Sequence, residues 1–287
     1  MAKKSKQQGG VRIPRFIINT GKFIQFFSPD WAVKYVSYLF RKPFNHKMPE
    51  AEKPLFEEAT ISFFDVPEIK KRIAVYQWPG GDKKALIVHG WSGRATQMYK
   101  IINALRDKGY SVTSFDAPAH GKSSGKSTMM PEFIKTVEKI NENYGPFDVA
   151  IGHSMGGITL LNVQGENHPF QKVVVIGTPD SIFNIFNGFV EKLELKPIVA
   201  EKLIAVFEDI TGKSIFDFHG SHQAQKITEP VLVIHDDHDK EVPVIDALNN
   251  YKHLKNGKLI RTKGLGHNRI LKDDKVVSEI MNFIEEN

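Results

Sequence analysis

The amino-acid sequence predicts an α/β protein whose mostly parallel, eight-stranded sheet is covered by helices on both faces. From about residue 60 onward, short runs rich in β-branched residues alternate with segments of helical periodicity. Three of the runs are nearly all apolar, as strands buried on both faces should be: Ala85–His89, Asp148–Ile151 and Val231–His235. A chain of 287 residues, 41% of them hydrophobic, is long enough to enclose one large core.

The individual strands and helices follow from this alternation. In chain order, the predicted strands are Thr60–Phe64, Arg72–Gln77, Ala85–His89, Ser111–Phe115, Asp148–Ile151, Lys172–Ile176, Val231–His235 and Lys258–Thr262. A short turn separates the first two strands, so we expect them to form an antiparallel hairpin at one edge. Crossover helices are predicted at Thr96–Lys108, Pro131–Tyr144, Met155–Gln164, Val244–Lys255 and Asp273–Glu285.

Two segments fall outside the alternation. Residues 1–58 are predicted to form an N-terminal helical extension, and residues 179–226 carry apolar residues at helical spacing. The sheet and its crossover helices then occupy residues 59–178 and 227–287. We therefore predict one α/β core with two helical additions.

Composition narrows the classes of function. The chain has no cysteine, which excludes disulfides and thiolate chemistry and fits a cytoplasmic protein. The formal net charge is +6, but beyond the N-terminus basic and acidic residues are interspersed, so nucleic acid is not a predicted partner. The chain has no uninterrupted apolar run of about 18 residues, so a membrane-spanning helix is not expected.

One motif carries the chemistry. The strand near residue 151 leads directly into Gly152-His153-Ser154-Met155-Gly156, and a predicted helix follows. A serine hydroxyl is a weak nucleophile that needs exposure and an adjacent base. The two glycines permit a tight strand-to-helix turn that lifts the Ser154 hydroxyl out of the sheet, and the helix N-terminus offers N–H groups to a developing oxyanion. Ser154 is therefore the predicted nucleophile.

With this motif in place, the chain from about residue 72 resembles the α/β-hydrolase superfamily, in which nucleophile, acid and histidine follow in that order. The resemblance extends to the segment from Asp236 to Pro243, which is similar to the family's Gly-x-x-Asp-x-x-Val-Pro and implies Asp239 as the acid. Asp236 stands where the family usually has glycine, so Asp236 and Asp237 remain alternatives.

The resemblance also implies the base and the oxyanion hole. His267 follows the last predicted strand among small residues and would take the proton from Ser154, with Asp239 orienting its ring. The oxyanion donors would be the backbone N–H groups of Met155 and Trp91, the latter in His89-Gly90-Trp91. The segment from Asp116 to Ser123 also resembles a motif of this superfamily. It is expected to shape its loop and not to take part in the reaction.

The same family often carries a helical cap at the position of residues 179–226. The aromatic residues of that segment predict an apolar substrate pocket, with Trp91, Phe183 and Phe186 in its wall. No metal or cofactor is predicted: His-Glu-x-x-His is absent, and a P-loop fails because Asp116 stands where its first glycine is required.

The implied activity is cleavage of a carboxylic ester or related acyl bond of a small molecule through an acyl-Ser154 intermediate. Thioesterase, acyltransferase and carbon–carbon hydrolase chemistry use the same residues, because fold and triad do not fix the substrate. A ligand-binding protein with a vestigial triad is a further alternative.

Residues 11–40 admit two interpretations. Their many aromatic residues, interspersed with Arg and Lys and preceded by a basic N-terminus, are typical of an amphipathic segment in peripheral contact with an anionic membrane. The other interpretation is a helical extension that packs on the body of the protein or on a second subunit. The sequence does not decide the oligomeric state.

Overall fold

The computed structural model describes residues 13–286, so residues 1–12 of the predicted extension and Asn287 lie outside the described residues. One sheet has the strand order β1-β2-β4-β3-β5-β6-β7-β8. Its strands are β1 (Thr60–Val66), β2 (Lys71–Trp78), β3 (Lys84–Val88), β4 (Ser111–Phe115), β5 (Phe147–His153), β6 (Phe170–Ile176), β7 (Val231–Asp236) and β8 (Gly257–Thr262).

The pairing of the strands confirms the predicted fold class. β2 pairs antiparallel with both β1 and β4, and every other neighbouring pair is parallel. The predicted hairpin therefore forms the antiparallel edge of an otherwise parallel sheet. Antiparallel neighbours need only a short turn, whereas each parallel pair needs a crossover connection.

Helices cover both faces of the sheet. They are α1 (Arg15–Phe27), α2 (Pro29–Phe40), α3 (Lys53–Glu58), α4 (Tyr99–Asp107), α5 (Met130–Tyr144), α6 (Met155–Asn167), α7 (Ile182–Lys192), α8 (Pro197–Thr211), α9 (Gly220–Ala224), α10 (Val244–His253), α11 (Gly266–Arg269) and α12 (Asp274–Glu285). α4 begins three residues later than predicted. The Ala95 N–H donates to Asp116 (2.9 Å) and the Gln97 N–H to the Arg94 carbonyl (3.0 Å), which hold the preceding residues in turns.

Two apolar cores lie on opposite faces of the sheet. Successive strand residues point to opposite faces, so Val173 and Val175 join one core while Val174 and Ile176 join the other. Helices α5 and α6 cover the first core, and α4 and α12 cover the second. Central strands therefore need apolar residues at every position, which explains the nearly continuous apolar runs in the sequence.

A separate helical layer covers the carboxyl side of the first core. Helices α7, α8 and α9 lie between β6 and β7 in the chain, and α2 of the N-terminal segment packs on α8. The face of α2 in this contact buries Ala32, Val33 and Val36. None of the helices in the described range is both long and apolar enough to cross a bilayer.

Candidate active site

Three candidate side chains come from loops at one edge of the sheet. Ser154 directly follows β5, Asp239 follows β7, and His267 lies in the short helix α11 after β8. These strands are parallel, so their carboxyl ends meet at the same edge of the sheet. Open α/β sheets bind their ligands at this edge.

Ser154 occupies a strained backbone conformation between β5 and α6. Its φ of 52° and ψ of −116° lie outside the favoured regions for a residue with a side chain, at a cost of roughly 1–3 kcal/mol. The Ser154 N–H donates to the Ile176 carbonyl at 2.9 Å, which ties the turn to β6. Gly156 is required for close packing, because a Cβ there would lie 2.1 Å from the Val88 oxygen.

Asp239 and His267 form a buried hydrogen-bonded pair. His267 Nδ1 lies 2.7 Å from Asp239 Oδ2, and the two side chains are only 7% and 1% exposed. The other Asp239 oxygen accepts from the backbone N–H groups of Glu241 (2.8 Å) and Val242 (3.0 Å). Burial acts to raise the pKa of Asp239, but the hydrogen bond from His267 and the backbone donors outweigh it and lower that pKa.

This pairing determines which ring nitrogen of His267 is available. A carboxylate accepts the Nδ1 proton, so Nε2 of the neutral ring carries a free lone pair. Among the described residues, the Ser154 hydroxyl forms no hydrogen bond to the His267 ring or to another group. The nearest carboxylate to Nε2 is that of Glu241, whose Oε2 lies 4.0 Å away.

The two alternative acids are engaged elsewhere. Asp236 accepts hydrogen bonds from four groups: the Thr262 hydroxyl (2.8 Å) and the backbone N–H groups of Leu265 (2.9 Å), His238 (3.0 Å) and Gly264 (3.2 Å). Burial acts to raise its pKa, but these donors lower the pKa of Asp236 to about 2. Asp237 pairs with Arg261 at 2.7 Å. Asp239 is thus the aspartate on the His267 ring, and Asp236 fastens the loop that carries His267.

His153 contributes a contact that the sequence analysis missed. Its ring Nε2 lies 3.0 Å from the His267 carbonyl oxygen, to which it donates, and the two rings are 4.6 Å apart. Burial lowers the pKa of His153 to about 3, so its ring is neutral. The side chain therefore joins the Ser154 turn to the His267 loop. Its place inside Gly-x-Ser-x-Gly is the only sequence feature that points to this role. The motif does not indicate a partner 114 residues away.

The two predicted oxyanion donors are available. Neither the Trp91 nor the Met155 backbone N–H donates to a protein acceptor in the part of the chain that the structure describes. The loop of Trp91 approaches the serine closely, since a Cβ on Gly90 would lie 3.1 Å from Ser154 Cβ. Both N–H groups therefore remain free to bind an oxygen anion.

Buried polar groups hold the Trp91 loop in place. His120 Nε2 accepts the Ser92 N–H at 3.0 Å, and Asp116 accepts the Tyr76 hydroxyl at 2.7 Å as well as the Ala95 N–H. Burial lowers the pKa of His120 to about 3, so its Nε2 acts as a neutral acceptor. The Asp116-to-Ser123 segment thus shapes this loop.

A cavity lies beside Trp91 and Met155, and its empty volume of about 520 Å³ includes space that is open to solvent. Phe186 lines it, whereas Phe183, the other phenylalanine expected in the pocket, does not and is 40% exposed. The difference follows from helix geometry: Ile182, Ile185 and Phe186 share the inward face of α7, and position 183 is rotated away from it. The lining residues are Ser37, Phe40, Arg41, Trp91, Met129, Met130, Met155, Ile182, Ile185, Phe186, Leu203, Val206, Phe207 and Ile210.

The N-terminal segment forms one wall of this cavity. The Phe40 ring lies 4.7 Å from that of Phe186 and 6.3 Å from that of Trp91, and Ser37 and Arg41 also line the cavity. None of these three residues is predicted from the sequence to line the pocket. Only the tertiary contact of α2 with α8 brings them there, and no local pattern signals it.

Comparison with known proteins agrees with this architecture. The α/β-hydrolase fold model matches residues 86–200. An esterase from Pyrococcus furiosus, Pf2001, superposes with a TM-score of 0.66 at 21% identity, covering 85% of this chain and 98% of that one. The match to a bacterial membrane phospholipase A covers 94% of this chain and 96% of that one, with a TM-score of 0.63 at 15% identity. The match to the bromoperoxidase from Bacillus anthracis covers 79% of this chain and 100% of that one, with a TM-score of 0.62 at 18% identity. Among curated protein sequences, none matches the chain.

The fold and the site define a class: an eight-stranded α/β sheet with a serine on a strained strand-to-helix turn and an Asp–His pair at the same edge. The chain has the α/β-hydrolase fold.

Proposed function

We propose that the protein is a serine hydrolase that cleaves a carboxylic ester or related acyl bond of a small molecule. The observation that carries the proposal is the buried Asp239–His267 hydrogen bond of 2.7 Å, located at the sheet edge that also presents Ser154 on its strained turn. Esterase and phospholipase names among the similar folds support the hydrolase class.

Each residue has a defined step in the proposed reaction. His267 Nε2 removes the hydroxyl proton while Ser154 Oγ attacks the acyl carbon, and Asp239 stabilises the imidazolium that forms. The N–H groups of Trp91 and Met155 stabilise the tetrahedral oxyanion. His267 then protonates the leaving group, and water hydrolyses the acyl-serine by the same route in reverse. The sequence of steps uses no metal or cofactor.

The cavity indicates the kind of acyl group. Apart from Ser37 and Arg41, all its lining residues are apolar, and it touches both proposed oxyanion donors, Trp91 and Met155. An acyl chain in this cavity would lie against Met155, the residue that follows Ser154. We therefore propose a substrate with an apolar acyl group.

Hydrolysis of p-nitrophenyl esters over a series of acyl lengths tests the proposal. Wild-type protein should turn over the esters with an optimum set by the cavity, and Ser154→Ala should reduce kcat by about 10⁴-fold or more. Ser278→Ala is the control, because that serine is exposed on α12, away from the turn. Equal rates for wild type and Ser154→Ala would contradict the assignment of the nucleophile.

Labelling with a fluorophosphonate separates an enzyme from a binding protein. An activated serine reacts covalently, so wild type should be labelled and Ser154→Ala should not. If the wild type is not labelled and hydrolyses no ester, the alternative of a ligand-binding protein with a vestigial triad takes precedence. Transfer of the acyl group to an added alcohol or thiol would instead indicate an acyltransferase.

A further inference from the structure

Helix α1 and the first turn of α2 expose an unusual number of large aromatic side chains. Phe16, Phe23, Phe26, Phe27 and Trp31 are between 62% and 84% exposed, and together they are called the aromatic face. The ring centroids of Phe23 and Phe26 lie 5.0 Å and 5.3 Å from that of Phe27, so these three rings form one continuous surface. Soluble monomers seldom expose apolar surface of this kind without a partner for it.

The opposite side of the same helices is fixed to the protein. Ile18 and Gly21 are buried on α1, and a Cβ at Gly21 would lie 3.4 Å from the Leu195 side chain. Arg15 and Lys22 both form ion pairs with Glu194, which follows α7. The aromatic face therefore cannot turn inward without breaking these contacts.

The distribution of charge indicates what covers the aromatic face. Residues 1–42 contain nine Lys and Arg residues against a single acidic residue, Asp30, while the rest of the chain has 30 against 32. Lys34 and Lys42, on or next to α2, are exposed. Apolar aromatic residues flanked by concentrated positive charge complement an anionic lipid surface, where each basic residue near the surface adds about 1 kcal/mol.

We propose that the aromatic face docks on an anionic phospholipid bilayer, with its rings at the boundary between headgroups and acyl chains. The cavity lies between α2 and α8, and its lining residues Val206 and Ile210 on α8 are 39% and 56% exposed. A docked molecule can thus receive an apolar ester from the lipid. This last point rests on the proposed function, whereas docking itself does not.

Vesicle co-sedimentation of the full chain tests the docking. Vesicles of phosphatidylcholine alone are compared with vesicles of equal parts phosphatidylcholine and phosphatidylglycerol. Wild-type protein should pellet with the anionic vesicles, and the combined variant Phe23→Ser, Phe26→Ser, Trp31→Ser should bind them at least about tenfold more weakly. Phe63→Ser is the control, since Phe63 is 43% exposed on the edge strand β1.

The outcomes separate lipid from a protein partner. Wild type that pellets with neither vesicle overturns the proposal, as does equal pelleting of wild type and the combined variant. A stable dimer that the combined variant converts to monomer, without lipid binding, assigns the face to a second copy of the chain and also overturns it. As an independent readout, the emission of Trp31 should shift to the blue on binding anionic vesicles, and Trp31→Phe should remove that shift.

A different observation concerns the cavity itself. Arg41 lines it, yet within residues 13–286 its guanidinium has no hydrogen-bond or ion-pair partner, and its Nε atom is buried. A cation that has no protein partner at the wall of an apolar cavity is able to bind an anionic group there. The N-terminus of α5, at Met130, lies in the same wall and adds to the positive potential.

We infer that Arg41 binds the anionic group of an amphiphilic ligand whose apolar chain fills the cavity. A guanidinium group can donate two parallel N–H hydrogen bonds to a carboxylate or to a phosphate, and its geometry suits both groups equally well. The ligand is therefore either a substrate or product with a carboxylate or a lipid with a phosphate. If the proposed function holds, the inference narrows the substrate class to anionic amphiphiles, but binding alone tests it.

Calorimetric titration with octanoate, octyl phosphate and octanol tests this site without turnover. Wild type should bind at least one of the anions about tenfold or more tightly than octanol. Arg41→Met should remove that preference, Arg41→Lys should retain part of it, and Lys42→Met, which changes the neighbouring exposed cation, should keep it. The tighter of the two anions identifies the headgroup chemistry. Equal affinity of wild type for octanol and both anions, or an unchanged preference in a folded Arg41→Met, would overturn the inference.

Discussion

The carboxyl edge of the sheet and the helical layer above it are built in different ways. At the sheet edge, the side chains of Asp236, Asp239 and His267 are each held by hydrogen bonds at defined distances. In the helical layer, α2, α7 and α8 meet through aromatic and aliphatic side chains such as Phe40, Phe186 and Phe207. The first region fixes geometry, while the second provides an apolar surface with few directional contacts.

The two kinds of contact differ in how closely they fix the position of an atom. Hydrogen bonds are directional, so a buried polar network determines the position of a reacting atom closely. Apolar contacts are not directional and tolerate changes of shape at a moderate cost. Substitutions at the sheet edge should therefore affect the rate of reaction, whereas those in the helical layer should affect which substrate is accepted.

The largest effect should follow from Asp239→Asn. The asparagine keeps the shape of the side chain but no longer stabilises the imidazolium or the required ring tautomer, so kcat should fall by roughly 10³ to 10⁴-fold. Steady-state kinetics with the best p-nitrophenyl ester measures it. Asp237→Asn, which removes the pairing with Arg261 and no contact to His267, should change kcat little. A similar loss of kcat in both variants would show that Asp239 has no specific role in the reaction.

The helical layer offers a matched pair of phenylalanines on α7. Phe186 is 3% exposed and lines the cavity, whereas Phe183 is 40% exposed. Phe186→Ala should reduce the free energy of unfolding by about 3 kcal/mol and shift the optimum toward longer acyl chains, because it enlarges the cavity. Phe183→Ala should do neither. Chemical denaturation measures the change in stability, and the ester series measures the change in acyl-length optimum. An unchanged optimum in Phe186→Ala would show that the substrate does not occupy this cavity.

Asp236 tests whether the hydrogen bonds at the sheet edge act on the His267 loop. Asp236→Ala leaves the Gly264 and Leu265 N–H groups without their acceptor, and we expect a loss of about 2 kcal/mol in the free energy of unfolding. Turnover should fall as well, because His267 follows directly. Chemical denaturation and kcat are the measurements. A destabilised variant with unchanged kcat would show that this loop does not position His267.

The same residue predicts a pH dependence. The pKa of Asp236 is about 2 in the folded protein, below the unfolded value of about 3.9, so its carboxylate stabilises the fold above the unfolded value. That contribution is lost as the pH falls through the folded value. The stability difference between wild type and Asp236→Ala should therefore shrink as the pH is lowered from about 4 toward 2. A constant difference over this range would contradict the hydrogen-bonded carboxylate.

The smallest effect concerns Asp246, where the helical layer meets α10. Burial raises the pKa of Asp246 to about 6, although the Asp180 N–H donates to its carboxylate. A raised pKa means that the carboxyl group stabilises the fold at low pH and loses that contribution as the pH rises through about 6. Asp246→Asn should raise Tm by a few degrees at about pH 8 and not at about pH 4. Asp209→Asn, at an exposed position on α8, is the control.

The sequence by itself determined the fold class and predicted the residues of the candidate site. Every predicted strand is present within a few residues, because the period and apolarity of strands such as β5 and β7 report burial on both faces of a parallel sheet. The Gly152-to-Gly156 turn is equally local, since close packing requires its glycines. For the acid, the sequence left three aspartates open, and the hydrogen bond to His267 depends on the tertiary position of their loop.

Tertiary structure alone decided which residues line the cavity and which remain exposed. Phe183 and Phe186 look equivalent in the sequence, but only one lies on the inward side of α7. Phe40 and Arg41 reach the cavity because α2 packs on α8, across more than 150 residues of chain. The sequence shows that a residue is apolar, and local periodicity gives its place on a helix. The residue's contact partner depends on the packing of distant elements, which no local pattern specifies.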